Sequence, residues 1–403
     1  MKVAVIGGGA AGFFAAISVK EHHPKSNLVL FEKSPKVLSK VKVSGGGRCN
    51  VTHSCFEISE LIKNYPRGAK FLKKSFHQFK VNDTIDWFDT FNVHLKTESD
   101  NRMFPTTDNS QTIIDCLTNQ FEQLGCVLKL QSAVTRITPQ TNNKGFELIV
   151  NDKKMSFDKI VVATGGSPKI EGLKWLQNLG HKIEKPVPSL FTFNIPKHTI
   201  TALMGAVAPN VKVRIEGEKL ESTGPLLITH WGMSGPAVLK LSSFGARKLA
   251  EKNYQFNILV SWLGQLSEDA VRALFQKEIT NHSLSQISNY KLPEIPKRLW
   301  VYLVEKLGIE LDKRWCDFSK KDLNRLVNGL VNDSYQVQGK TTFKEEFVTC
   351  GGVSLADVNP NSMESKKIPG LYFTGELLDI DGVTGGFNFQ AAWTTGFIAG
   401  KLS

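Results

Sequence analysis

Val3-Ala-Val-Ile6 runs directly into Gly7-Gly-Gly-Ala-Ala-Gly12, and Glu32 closes the next apolar run, Leu28-Val-Leu-Phe31. Few folds accommodate such a start. Gly7 permits a tight turn out of a buried strand, Gly9 lets the backbone approach a pyrophosphate, and Gly12 lets a helix pack closely on the strand. The helix expected from Ala10 and Ala11 to about Glu21 aims its free N–H groups at the same point. Glu32, with Lys33 beside it, stands twenty residues beyond Gly12. A carboxylate there accepts hydrogen bonds from both hydroxyls of an unphosphorylated adenosine ribose, so FAD or NAD fits better than NADP. The expected class is α/β, on a Rossmann-like domain.

At 403 residues the chain should form two or three domains. Hydrophobic content of 41% and charged content of 22% are globular values. No stretch is long and apolar enough for a membrane span. Cleavage of a leader would remove the first strand, so a cytoplasmic protein is expected. Six cysteines, Cys49, Cys55, Cys116, Cys126, Cys316 and Cys350, form no CxxC pair. That spacing argues against a metal site and against a redox dithiol.

The formal charge of +12 is less ordinary. Lys291, Lys297, Arg298, Lys306, Lys313, Arg314, Lys320, Lys321 and Arg325 fall within 35 residues. A solvated surface is the default explanation, and attraction to a polyanion such as RNA is the functional one.

Texture divides the chain. Residues 1–187 form a cofactor domain, with a helical stretch through Phe71–Phe91 and later strands at 126–130, 134–137, 146–150 and 159–163. Val134 opens one of these strands and is a candidate cofactor contact. The last strand runs into Thr164-Gly165-Gly166, a weak signal alone but a meaningful one after a GxGxxG turn. Period-two runs at 191–195, 211–215 and 256–260 predict half-buried antiparallel strands. We expect a β-barrel-like domain over 188–265 and 332–345, interrupted by a helical insert at 266–331. Ser267 is a candidate N-cap, and Ser319-Lys-Lys-Asp322 resembles a capping box. Residues 346–403 return to the cofactor domain, which is therefore discontinuous.

Two further constellations carry chemistry. In the tail, a short apolar strand ends in Gly375-Glu376, a loop carries Asp379 and Asp381, and Gly385-Gly386-Phe387-Asn388 opens a helix. Glu376 suits ribityl hydroxyls, and the helix start suits the electron-rich edge of a flavin. In Ser44-Gly-Gly46-Gly47-Arg48-Cys49-Asn50, the glycines let backbone pass flat beside a ring. Arg48 offers a charged fork to pyrophosphate or a substrate anion, and Asn50 offers an amide to a flavin edge. Cys49, a candidate cofactor contact in this loop, could be a thiolate, but with no partner cysteine nearby a packing role is favoured.

SGGGRCN at 44–50, THWGMSGPAVL at 229–239, CGGVSL at 350–355 and GLYFTGELLDIDGVTGGFNFQAAWTTGFIAG at 370–400 together resemble the BaiN/YhiN, or aminoacetone-oxidase-like, family of FAD-dependent oxidoreductases. The chain departs from the family pattern at Leu38-Ser-Lys-Val-Lys-Val43 and at Phe387, where tyrosine is common. The resemblance implies non-covalent FAD in a discontinuous domain, with barrel-like and helical parts inserted. It also implies redox chemistry on a small conjugated carbonyl or amine substrate. Only one GxGxxG is present, so NAD(P)H is a candidate reductant without a Rossmann domain of its own. Hydride transfer to an electron-poor carbon needs a proton donor, and His230 in Thr229-His-Trp-Gly is the candidate acid. Two alternatives stand beside a small-metabolite enzyme: reduction of uridine to dihydrouridine in ribosomal RNA, and a non-catalytic flavin-binding redox sensor.

Overall fold

A computed structural model describes residues 1–140, 145–290, 292–342 and 348–403. Lys291 and the expected boundary at 345/346 lie outside the described residues. The chain divides into two compact units, Met1–Ser189 with Phe343–Ser403, and Leu190–Thr342.

The first unit is built on a five-stranded sheet in the order Leu371–Phe373, Lys159–Val162, Lys2–Ile6, Asn27–Phe31, Val127–Lys129, every neighbouring pair parallel. Val3, Ala4 and Val5 in the central strand are fully buried, which is why that strand reads as an unbroken apolar run. The helix Ala10–His22 is buried over Ala11–Val19 and packs along the final helix, Phe387–Gly400. Small residues make that approach possible: a Cβ on Gly396 would lie 2.8 Å from the Ala11 carbonyl oxygen, and one on Gly400 would lie 2.4 Å from Ser18 Cβ. Thus the two ends of the chain share one core.

Three smaller sheets complete this unit. Val134–Pro139, Phe146–Val150 and Lys153–Phe157 form an antiparallel meander, separate from the 127–129 strand that joins the parallel sheet. Thr52–His53, Arg102–Pro105 and Leu95–Thr97 make a second sheet. Ile183–Ser189 pairs with Val348–Val353. Gly351 and Gly352 lie inside this last strand. Their φ of 113° and 137° and the backbone oxygens crowding them explain the glycines: the Leu377 carbonyl would lie 2.3 Å from a Cβ on Gly352. The helical stretch expected through Phe71–Phe91 is two helices, Ala69–Phe76 and Val81–Thr90.

The second unit holds a seven-stranded antiparallel sheet, in the order Asp333–Gln338, Gln255–Ser261, Val207–Ile215, Glu221–Thr229, Gly232–Ser234, Thr192–Asn194, Lys340–Thr341. Its helices include Pro236–Glu251, Glu268–Asn281, Lys297–Lys306 and Lys320–Val331. Ser267 caps its helix by accepting from the Ala270 N–H at 3.2 Å. Ser319 and Asp322 form the expected capping box. Val271, Phe275, Leu326 and Leu330 turn into a core that also buries Trp262, Trp300 and Trp315.

Candidate functional site

The strand Lys2–Ile6 ends at Gly7, whose φ of +114° a side chain rarely adopts, and a Cβ there would lie 2.3 Å from the Ala163 carbonyl oxygen. Gly12 is tighter still, with 1.9 Å to the Gly7 carbonyl oxygen. Gly9 differs: a Cβ on it meets nothing within 4 Å. Two glycines therefore serve packing and one faces open space at a helix N-terminus. Ala11 clusters with Ala163 and Ala392, and Ala10 packs against that cluster. Gly375 requires this smallness, because a Cβ on it would lie 2.7 Å from Ala11 Cβ.

Glu32 emerges from the end of its strand beside the same turn. Its Oε2 accepts from the Gly8 N–H at 2.7 Å, and its Oε1 accepts from the Ser34 N–H and hydroxyl, both at 2.8 Å. The carboxylate is held in place, and Lys33 next to it is exposed. Val134 begins two residues after Ser132, whose N–H donates to the Glu32 carbonyl.

The glycine loop leaves the helix Ser39–Gly47 at Ser44 and winds through left-handed backbone at Gly45, Gly46, Gly47 and Cys49, with φ of 59°, 70°, 85° and 63°. It coils rather than lying flat. A Cβ on Gly45 would strike Phe104, whereas Gly46 and Gly47 face open space. Arg48 binds Glu98 at 2.5 Å, approaches Asp108 at 3.5 Å and lies 3.9 Å over the Phe104 ring. Its fork is engaged within the protein. Cys49 is fully buried, and burial pushes its thiol up to about 12. Asn50 joins loop to tail: its Nδ2 donates to the Thr52 carbonyl and its Oδ1 accepts from the Gly386 N–H, each at 3.0 Å.

In the tail, Gly385 and Gly386 have φ of 125° and 93°, and a Cβ on Gly386 would lie 2.4 Å from the Thr52 carbonyl oxygen. Asn388 staples the preceding loop with two bonds to the Gly382 backbone. Phe387 stacks on His53, ring centroids 4.6 Å apart. Glu376 accepts from Lys40 Nζ at 2.6 Å and from the Thr349 N–H at 2.8 Å, so Lys40 in the divergent segment has a partner. Thr164-Gly165-Gly166 reaches the same place: a Cβ on Gly166 would lie 2.5 Å from Thr349 Oγ1 and 2.6 Å from Glu376 Oε1. Asp381 is fully buried, bound by the Arg67 guanidinium through Nε at 2.6 Å and through Nη2, and by the Ser189 hydroxyl at 2.6 Å. Burial raises its pKa, and Arg67 opposes that rise.

Arg67, Thr349, His53, Glu98 and Asp108 were not singled out in the sequence, and no local motif marks them. His230 belongs to the second unit, exposed at the turn between Glu221–Thr229 and Gly232–Ser234, its ring centroid 3.9 Å from that of Trp231.

The first unit's residues fit a flavin dinucleotide. Gly9, Gly46, Gly47 and Gly165 present backbone with no atom where a side chain would stand. Thr349 Oγ1 and His53 Nδ1 are buried without a hydrogen-bond partner among the described residues. Burial lowers the His53 pKa and favours the neutral ring. Among the described residues no group of three His, Cys, Asp or Glu could hold a metal ion, and no helix is long and apolar enough to cross a membrane.

Residues 1–402 match the family described as HI0933-like protein Rossmann domain. The chain belongs to the HI0933-like family. It is an FAD-dependent oxidoreductase with a Rossmann-type FAD-binding fold. It is 25% identical over 410 residues to the 3-dehydro-bile acid delta(4,6)-reductase of Clostridium scindens, covering 100% of this chain and 98% of the relative. It is 29% identical over 402 residues to the ribosomal RNA dihydrouridine synthase of Escherichia coli, covering 97% and 95%. The fold is similar to that of 3-ketosteroid delta1-dehydrogenase from Sterolibacterium denitrificans, with a TM-score of 0.53, 11% identity and coverage of 99% and 98%.

Proposed function

We propose that the protein reduces the C5=C6 bond of uridine in ribosomal RNA, in the cytoplasm, with NAD(P)H as reductant. Charge carries this reading: 50 Lys and Arg stand against 38 Asp and Glu, a surplus that favours a polyanionic substrate. The Escherichia coli relative's name points the same way. Uridine's C5=C6 bond is conjugated to a carbonyl, which makes it chemically an enone. The same chemistry on a small conjugated ketone is the second reading, favoured by the full-length similarity to the bile-acid reductase.

Bound FAD supplies a carrier for a hydride equivalent. The N–H groups opening the helix at Ala10 hold its pyrophosphate across Gly9. Glu32 would accept from its adenosine ribose through Oε2, which carries only the Gly8 donor, while Oε1 is occupied by the Ser34 N–H and hydroxyl. Gly386 and Phe387 open a buried helix whose positive end would favour negative charge on a bound flavin. Thr349 Oγ1 and Glu376 lie beside Gly165-Gly166 and serve the ribityl chain. Arg48, through Glu98 and Phe104, holds the glycine loop in its left-handed coil. Reduction also needs a proton at the neighbouring carbon, and His230 is the proposed donor. We take the second unit's sheet as barrel-like, because its two end strands, Asp333–Gln338 and Lys340–Thr341, are joined by Gly339 alone. The helices of 266–331 are its insert.

Incubating FAD-loaded protein anaerobically with NADPH and unmodified ribosomal RNA, then analysing nucleosides by mass spectrometry, tests the reading. A dihydrouridine that requires the enzyme supports it. Flavin oxidation by conjugated ketones, with no RNA product, would move the assignment to the second reading.

A further inference from the structure

In the second unit, the helices Glu268–Asn281 and Lys320–Val331 border an open cleft of about 560 Å³. One wall carries Arg272, Gln276 and Ile279, spaced along a single helical face; the other carries Lys320, Leu323 and Asn324, with Phe318 at the approach. We propose that this cleft anchors one nucleotide of single-stranded RNA other than the reacting uridine; the proposal rests on the RNA reading above.

The basic crowd of this region resolves into two groups. Lys306 is taken up by Asp333 at 2.5 Å, Lys313 by Asp322 at 2.9 Å, Arg325 by the Leu307 and Gly308 carbonyls, and Lys297 by the Ser288 carbonyl. These cations hold the fold. Lys320 and Lys321 are exposed and make no hydrogen bond or ion pair among the described residues. Asp322, the carboxylate next to them, is neutralised by Lys313 and bonded by Ser319, so it does not cancel their field. Arg272 donates to Asn324 Oδ1 at 2.6 Å through one nitrogen, which orients the guanidinium and leaves further N–H groups for a phosphate.

The cleft also has the parts that hold a base. Phe318 is half-buried and backed by buried Trp315, ring centroids 4.8 Å apart, so its ring is fixed before any ligand arrives. Gln276 presents an amide that both donates and accepts, Asn324 keeps its Nδ2 donor beside the Oδ1 bound by Arg272, and Ile279 and Leu323 add apolar surface to the two walls. A cation pair for phosphate, an immobilised aromatic ring and two amides are what a nucleotide of a single strand needs.

Fluorescence anisotropy with a short labelled single-stranded RNA and the FAD-loaded enzyme tests the assignment. Lys320→Glu, at an exposed position, should weaken binding about tenfold and reduce the slope of log affinity against log salt by about one. Phe318→Ala should weaken binding by roughly five- to a hundredfold and leave that slope unchanged; Phe318→Tyr should restore it, separating stacking from mere loss of packing. Binding of both Lys320→Glu and Phe318→Ala within twofold of the parent would overturn the cleft, even if dihydrouridine still forms. Cleft-dependent RNA binding by an enzyme that forms no dihydrouridine would leave the cleft standing and remove the uridine reading.

Discussion

Replacing Gly9 by alanine separates two accounts of the opening turn. Gly9 has φ −90° and ψ −174°, a conformation open to any residue, and a Cβ there meets nothing within 4 Å. Alanine should therefore be tolerated without ligand: the lost chain entropy of the unfolded state favours it by about 0.4–1 kcal/mol. Its poorer N-capping offsets this by a similar amount. The net change in stability should lie within about 1 kcal/mol. With FAD the methyl group occupies the space the pyrophosphate needs. Pushing the phosphate away from two helix N–H donors, each worth about 1.5–3 kcal/mol to a charged acceptor, forfeits about 3–6 kcal/mol. That corresponds to a loss of affinity of about a hundredfold or more. Gly12→Ala behaves oppositely. Its Cβ would stand 1.9 Å from the Gly7 carbonyl oxygen, so strand and helix must part even without cofactor, at about 1–3 kcal/mol or more. Urea denaturation of FAD-free protein and flavin fluorescence titration measure the two effects. Full FAD affinity in Gly9→Ala would refute the placement of the pyrophosphate.

Other positions make sharper demands on single interactions. Arg67→Ala leaves the Asp381 carboxylate buried without its cation and should cost about 3–5 kcal/mol in urea denaturation. Cys49, its thiol pushed up to about 12, should resist iodoacetamide at pH 8 in the native protein while exposed Cys316 reacts, and Cys49→Ala should keep its flavin. Lys313 and Ser319 hold the Asp322 carboxyl down to about 2, below its ordinary 3.8, so its stabilisation is present above pH 4 and lost as pH falls toward 2. Asp322→Ala should therefore destabilise by about 1 kcal/mol at pH 7 and by progressively less in acid, read from urea midpoints across that range.

What the sequence revealed depended on how local each determinant is. The opening strand, its glycine turn and the capping box at Ser319 are set by residues within a few positions of one another, and they were legible. The ion pairs that shape the site were not. Arg67 meets Asp381 across 314 residues and Lys40 meets Glu376 across 336, and only the folded topology brings them together. Arg48 illustrates the same limit. Its motif announces a charged fork, but Glu98 and Asp108, which occupy that fork, lie in an unremarkable stretch, fifty and sixty residues on. Periodicity marked the helical stretch but not the break inside it: Phe76, Phe79, Ile85 and Phe88 recur at helical spacing, and no glycine or proline signals the interruption. The chain instead restarts at Val81, after Lys80, whose N–H donates to the Asp83 carboxylate.

Ribosomal RNA from cells lacking this gene, digested to nucleosides and compared with that of the parent, puts the uridine assignment to its most direct test. One dihydrouridine should disappear, returning with a plasmid copy of the gene and not with its Gly9→Ala form. An unchanged nucleoside profile in the deleted cells would contradict it.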